Sequence, residues 1–549
     1  MHKRLIQLVD LLPGLAAVVL VVRLVQLWAA RVPYPYDLEW MEGGMLAHSW
    51  RLQQGLPLYV APGPDFIPFV YPPGYAALVA SLGSVFGLTL PLGRVVSLVA
   101  TAMAASALLF GVFRQTKSWR LGVLASVVFL GTYPASGAFY DLVRPDALYT
   151  ALLGWALVVG LEERRGAPAL AGLLLATAFV MKHNAAAFGV PIALGLLYRD
   201  GWRNALQFAL VAMIPAGLLT VWLQVSSHGH FLTYLLEVPT SHPRIWGRVL
   251  PGAFRDMGST LPVATGILGL WAILSHSDRV SKLSEGWRIS VPVASGVALA
   301  WYGYTLGDPG AGTYHFGASF AFFGAGAAAA SVLLFAMLGD QRPSWRWVYG
   351  GGVLSTALVM AALMRAHNGG FLNVYMQLHW IIAFGFAAAL ADWRQSKQGW
   401  VTLATGVLAA MQIGWQLGRL DYGKLAPTAA DRAAGDAFVE AIRDVEGPVL
   451  SPFASWLPVY AGKAPSVHLI ALWDLNYKGG PYYQDVEMIR AAVRDHYWGA
   501  VIDGSKPLAY GVPKAYMKAE TPKVEEGALA PKMGWPAHPA QILLPRPEK

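Results

Sequence analysis

The chain has 549 residues, of which 55% are hydrophobic and 13% charged, about half the charge that a soluble domain carries. Cysteine is absent, which excludes disulfides, thiolate metal sites and cysteine nucleophiles. The formal net charge of +9 would point to nucleic acid in a soluble protein. In a chain this apolar it is explained by basic residues that hold loops in the cytoplasm, and no nucleic-acid partner is expected.

The first element is an apolar run from about Leu5 to Trp28. Asp10 and Arg23 interrupt it, and it has the length of a full span rather than of a signal-peptide core. It is read as an uncleaved first helix with its N-terminus inside. The stretch YPYDLEWMEGG follows, with Asp37, Glu39 and Glu42 where a membrane helix meets water. These acids open a long outer loop, roughly residues 30–90, that continues through GLPLY (55–59) and FVYPPGY (69–75). Loops of that length usually carry function. The apolar stretch Pro72 to Gly87 is read as a helix on the outer surface, because counting it as a span would move the next basic turn outside.

Beyond the loop, lysine and arginine nominate the cytoplasmic turns: Arg114, Lys117 and Arg120; Arg164 and Arg165; Arg199 and Arg203; Arg279, Lys282 and Arg288; Arg342 and Arg346; Arg394 and Lys397. With an inside N-terminus these imply about 13 spans, near residues 5–29, 91–113, 120–137, 146–161, 168–181, 184–198, 204–226, 259–275, 288–306, 316–338, 346–364, 375–391 and 399–417. Two short spans meet at Lys182, His183 and Asn184, which predicts a cavity reaching into the membrane, since backbone that stops early is tolerated only in protein or water. After about residue 420 the composition changes. A helix over 429–445, buried strands at 448–452, 467–472 and 499–504, and an amphipathic helix over 485–496 predict a small α/β domain with a parallel sheet. The proline-rich end, 521–549, is read as irregular. The expected fold is therefore mainly α: a polytopic transmembrane helical bundle over residues 1–420, with a small extracytoplasmic α/β domain over 421–549.

Three outer loops present ionisable groups. The first holds the acids, the second holds Asp141, Arg144 and Asp146 in FYDLVRPDALY, and the third is the Lys182 tip. For each residue taken singly a solvated anchor or a surface ion pair explains as much, and the coincidence of three loops favours function. A carboxylate can take a proton from an attacking hydroxyl or amine. A nearby cation can stabilise a departing phosphate. Two later loops, GDPGAGTYHFG (307–317) and HNGGFLNVYMQLHW (367–380), place Gly-rich backbone and a polar side chain, His315 or Asn373, before a span. Glycine permits close approach of a ligand and equally an ordinary turn. His315, His367 and His379 lack zinc-motif spacing.

The order of a first-loop acidic motif, a GLPLY element, a YPPGY helix start, an RPDALY second loop and a lysine-tipped helix pair resembles the GT-C glycosyltransferase superfamily. More narrowly, it is similar to bacterial relatives of protein mannosyltransferases and lipid A aminoarabinose transferases, over most of the first 200 residues. The resemblance implies inverting transfer of a sugar from a polyprenyl-phosphate donor to a lipid, glycan or protein acceptor on the periplasmic face of the inner membrane. It places the base or acceptor-orienting group at Asp37 and a second acid at Glu39, although Leu38 separates two acids that are adjacent in some relatives. Glu42 is a weaker candidate, equally a loop-structuring charge. Arg144 and Asp146 fall on the second-loop motif that orients acceptor or phosphate. Lys182, with His183 beside it, falls on the lysine that contacts the donor phosphate. Where several relatives carry a lysine before the proline pair, this chain has Val70-Tyr71, so that contact is missing or passes to other groups such as Arg244 and Arg248. Tyr71 is carried as a substrate-facing candidate. A divalent ion bridging Asp37 and Asp141 stays open, and no other cofactor is implied. Two rival classes remain: a transporter or flippase of a charged lipid or solute, which commonly shows repeated halves that are not found here, and a non-catalytic scaffold, which leaves the three charged loops unexplained.

Overall fold

A computed structural model describes residues 2–277, 283–305, 312–339, 343–395, 398–505, 508–520, 522 and 524–547. Each of the thirteen apolar stretches is mostly helical. The first nine helices are α1 (His2–Arg31), α2 (Glu42–Gln53), α3 (Gly74–Phe86), α4 (Leu90–Thr116), α5 (Trp119–Leu130), α6 (Asp146–Gly160), α7 (Ala167–Met181), α8 (Gly189–Asp200) and α9 (Trp202–Ser226). The later long helices are Pro262–Ser277, Glu285–Thr305, Gly312–Leu338, Trp345–Ala366, Met376–Arg394 and Gly399–Leu417. Among the described residues six are long and apolar enough to cross a membrane. The outer ones show why water cannot be their solvent: α9 turns Leu218, Val221 and Trp222 outward, more than half exposed. A helix apolar all round is stable only in lipid or a core.

The shorter helices are short at one end of the bundle. α5 gives way to 3₁₀ turns at Pro134–Ser136 and Phe139–Asp141, and α7 to a 3₁₀ segment at His183–Phe188. This irregular backbone gathers where α1 ends and where α4 and α6 begin. Local sequence fixes the boundaries. Thr89 caps α4, its hydroxyl accepting from the Leu92 N–H, and Ser118 caps α5 in the same way. The described basic turns lie at the opposite end, where Arg114 pairs with Glu162 at 2.6 Å. Arg279, Lys282, Arg342 and Lys397 lie outside the described residues. The Pro72 to Gly87 stretch forms α3, thirteen residues packed against α2, α4 and α7.

The C-terminal segment folds around a four-stranded sheet of β1 (Val449–Leu450), β2 (Ala500–Gly504), β3 (Tyr516–Lys518) and β4 (Pro539–Pro545), in the order β1-β2-β4-β3. Three expectations are corrected here. The sheet is mixed: β1 and β2 are parallel, while β4 runs antiparallel to both of its neighbours. The strand β4 comes from the proline-rich tail read as irregular; its Gln541 to Leu544 core is short enough to be hidden by the flanking prolines. VHLIAL is not a strand but enters the helix Leu469–Leu475, capped by His468, whose Nδ1 accepts from the Ile470 N–H. A short apolar run has no periodicity that separates strand from buried helix. The helix Ala429–Arg443 carries a reciprocal capping box between Thr428 and Asp431.

This segment grips the first loop. The Lys532 N–H donates to Leu38 O at 2.8 Å, His468 Nε2 to Trp40 O at 2.6 Å, Tyr460 to Pro35 O at 2.5 Å, and Tyr36 donates to Asp436 at 2.6 Å. The acidic loop and the C-terminal segment therefore share one side of the bundle.

Candidate functional site

Two ion pairs without solvent exposure frame the acidic loop. Arg31, the last residue of α1, meets Asp141 at 2.6 Å and also donates to Leu425 O. The Tyr133 hydroxyl donates to the same carboxylate at 2.8 Å. Arg94, in the first turns of α4, meets Glu42 at 2.6 Å and donates to the carbonyls of Arg31, Tyr34 and Tyr36. Glu42 also accepts from the N–H groups of Leu38 and Val143. Burial alone would raise the Glu42 pKa, but Arg94 and these donors outweigh it and hold the carboxyl below its usual range. Glu42, which the sequence reads equally as a substrate contact or a loop-structuring charge, and Asp141, a substrate-contact candidate, both serve in the structure as ties that hold the loops to the bundle. Both Asp141 oxygens accept from Arg31. Among the described residues no group of three or more His, Asp or Glu converges as a metal site.

Between these ties lie the groups that remain available. One Asp37 oxygen accepts the Gly43 N–H at 2.5 Å, and the residue as a whole is half-buried. Gly43 permits this approach, because a Cβ there would lie 2.8 Å from the Trp456 nitrogen and 3.0 Å from the Asp37 oxygen. Packing around Asp37, and the charges of Glu42 and Glu39, raise its carboxyl well above the ordinary range. Glu39 is buried and raised to about 7, burial outweighing the neighbouring Arg144. Arg144 reaches Glu39 at 3.4 Å and donates to the Tyr71 hydroxyl at 2.8 Å. Asp146 opens α6 and accepts from Lys182 Nζ at 2.7 Å and from the Asn373 amide at 2.8 Å on the same oxygen.

Among the described residues, three buried atoms here have no hydrogen-bond partner: Arg144 Nε, Asp146 Oδ2 and His183 Nδ1. The first two face each other as an ion pair at 3.9 Å, beyond hydrogen-bond distance. Buried polar atoms without partners are rare and call for an explanation such as a ligand or water. Lys182 adds spare capacity, since an ammonium has three donors and its hydrogen bond to Asp146 uses one. The sequence thus named Asp37, Glu39, Tyr71, Arg144, Asp146, Lys182 and Asn373, and the fold brings them together from four stretches of chain.

Other expectations are not met. Arg144 and Lys182 are only 3% and 4% exposed, so the Lys182 tip is enclosed by protein rather than open to water as expected. Two cavities of about 600 and 260 Å³ are lined by other residues. Arg244 and Arg248 sit on a loop against His367 rather than beside the acids: Arg244 pairs its backbone with His367, and Arg248 ends a 3₁₀ turn. The His315 side chain lies outside the described residues. Sequence reasoning missed Arg31 and Arg94. Arg94 left a signal, a charged residue inside a predicted span, where ionisable groups face the protein and pair. The C-terminal contacts to residues 35–40 left none, being made largely through backbone atoms.

No family model and no curated protein matches the chain. Its course is similar to that of ArnT from Cupriavidus metallidurans. The apo crystal structure of that protein shares 14% sequence identity over 88% of this chain and 92% of that one, with a TM-score of 0.46. A second crystal structure of ArnT, bound to undecaprenyl phosphate, shares 13% identity over 84% and 87%, with a TM-score of 0.42. A likeness this distant carries no argument about chemistry, which has to come from the site itself.

Proposed function

We propose that this chain is an integral-membrane glycosyltransferase that moves a sugar from a polyprenyl-phosphate donor to an acceptor on the side of the acidic loop. The observation that carries the reading is a loop with two acids of raised pKa, one of them, Glu39, in contact with a buried Arg144–Asp146–Lys182 group whose Arg144 Nε and Asp146 Oδ2 make no hydrogen bond. An acceptor hydroxyl or amine attacks the anomeric carbon, the bond from that carbon to the phosphate oxygen breaks, and configuration inverts. The acceptor proton passes to Asp37, whose surroundings favour holding one. Glu39 orients the acceptor and is itself held by Arg144. The departing polyprenyl phosphate takes up the charge, with Arg144 Nε and the free Lys182 donors as its binding groups. Asp146 and Asn373 position Lys182. The polyprenyl chain lies among the membrane helices, and the acceptor is a lipid, a glycan or a protein.

In this reading the protein sits in the bacterial inner membrane, N-terminus in the cytoplasm, acidic loop and C-terminal domain in the periplasm. The described basic turns support it, all lying at the end of the bundle away from the acids. The test supplies membranes containing the wild type or Asp37→Asn with labelled polyprenyl-phosphate sugars and follows transfer to endogenous acceptors. Transfer should drop at least a hundredfold in the variant while insertion is unchanged. Full transfer by a correctly inserted variant removes Asp37 from the reaction.

A further inference from the structure

The larger cavity, about 600 Å³, lies at the end of the bundle opposite the acids, between α4, α6 and the helices Pro262–Ser277, Trp345–Ala366 and Met376–Arg394. Its polarity is graded along those helices. Toward the middle of the helices the walls are Leu354, Ile381 and Phe384, whereas the mouth, at the helix ends, carries Gln115, Ser344, Arg346, Asp392 and Gln395. Two tryptophans mark the mouth as an interfacial zone: Trp271 and Trp347 face each other with ring centroids 4.9 Å apart, and the Trp271 indole donates to Asp392 at 3.0 Å. The size is that of a ligand site rather than of a buried water. Apolar walls left without partner atoms forfeit their dispersion contacts, and in a membrane the molecule at hand to restore them is a lipid. Glycine keeps the space open. Gly350 and Gly351 both line the cavity, and a Cβ on either meets nothing within 4 Å.

We propose that this cavity binds a membrane phospholipid, one acyl chain between the helices and the phosphate at Arg346. The graded walls match an amphiphile entering tail first, and the cation at the mouth matches a phosphodiester. The site is separate from the acidic loop and does not depend on the transfer reaction. Helix Met376–Arg394 joins the two: Trp380 lines the cavity, while one turn earlier Gln377 donates to Thr150, whose hydroxyl donates to the Asp146 carbonyl.

The test uses the full-length protein in two ways. A photoreactive phosphatidylglycerol, with its label on one acyl chain, is crosslinked to the wild type in vesicles and mapped by peptide mass spectrometry. Labels should concentrate on residues 347–354 and 380–388, and labelling confined to outward faces such as α9 overturns the site. Phospholipid retained by detergent-purified protein is then counted by native mass spectrometry for wild type, Gly350→Leu/Gly351→Leu and Arg346→Gln. The leucine pair should lower retention about tenfold and Arg346→Gln severalfold. Equal retention in all three, or recovery of a polyprenyl lipid in place of a phospholipid, overturns the proposal.

Discussion

At the scale of single residues, the candidate site is a contrast between satisfied and unsatisfied charge. Glu42 and Asp141 each face an arginine with no solvent exposure on either side. Removing one partner of such a pair leaves an uncompensated buried charge and costs about 3–5 kcal/mol. Glu42→Gln should therefore destabilise the protein by an amount of that order, read as a lowered midpoint of unfolding in detergent. A midpoint within experimental error of the wild type would make Glu42 a candidate for substrate contact again. Asp37 differs in kind. Its hydrogen bond to Gly43 uses one oxygen, and its environment raises its pKa where that of Glu42 lowers it. The three acids look alike in sequence; what separates them is that Arg94 reaches Glu42, Arg144 reaches Glu39, and among the described residues no arginine bonds Asp37.

At the scale of elements, short helices with broken ends place these side chains. The YPPGY motif starts α3 where α7 ends, and Gly74 makes the contact: a Cβ there would lie 2.7 Å from the Val180 carbonyl oxygen and 2.8 Å from Met181. Since Lys182 follows directly, this glycine sets the distance between the Tyr71 loop and the lysine tip. Gly74→Ala must push the two helices apart, with a packing cost of about 1–3 kcal/mol. If Lys182 binds the donor phosphate, the apparent KM for donor should rise severalfold while kcat changes less. An unchanged KM would mean that α3 and α7 move without carrying Lys182. The motif was legible as a motif, but its purpose was not, because nothing in YPPGY names the carbonyl it packs against.

At the scale of the whole molecule, the C-terminal segment is locked over the bundle partly by two neutral histidines. His242 Nε2 donates to the Asp474 carbonyl at 2.8 Å, which leaves its Nδ1 to accept from His367 Nε2, also at 2.8 Å. His367 Nδ1 in turn accepts the Gly369 N–H at 3.2 Å. A proton added to either ring sets donor against donor. Burial, with His242 and Arg244 nearby, lowers the His367 pKa from 6.5 to about 4, and burial lowers that of His242. The unfolded or undocked chain thus binds more protons between these values, so the contribution is complete above about pH 6.5 and is lost as pH falls toward 4. The midpoint of thermal unfolding of the wild type should fall as pH drops across that window, and His367→Gln should flatten the fall. Identical slopes would show that the pair does not set the acid sensitivity of the docking.

Composition and period alone determined that this is a helical membrane protein with an acidic loop after its first helix, because an apolar stretch of bilayer length has few other stable outcomes. The same rules gave the helices Ala429–Arg443 and Glu487–Arg494, where charges fall on one face. They could not assign VHLIAL or the tail strand β4, whose short apolar runs take their form from the partner they pack on. Nor could they rank Asp37, Glu39 and Glu42. Which acid is tied down and which stays available depends on arginines as much as 105 positions away in the chain, and only the tertiary structure decides that distance in space.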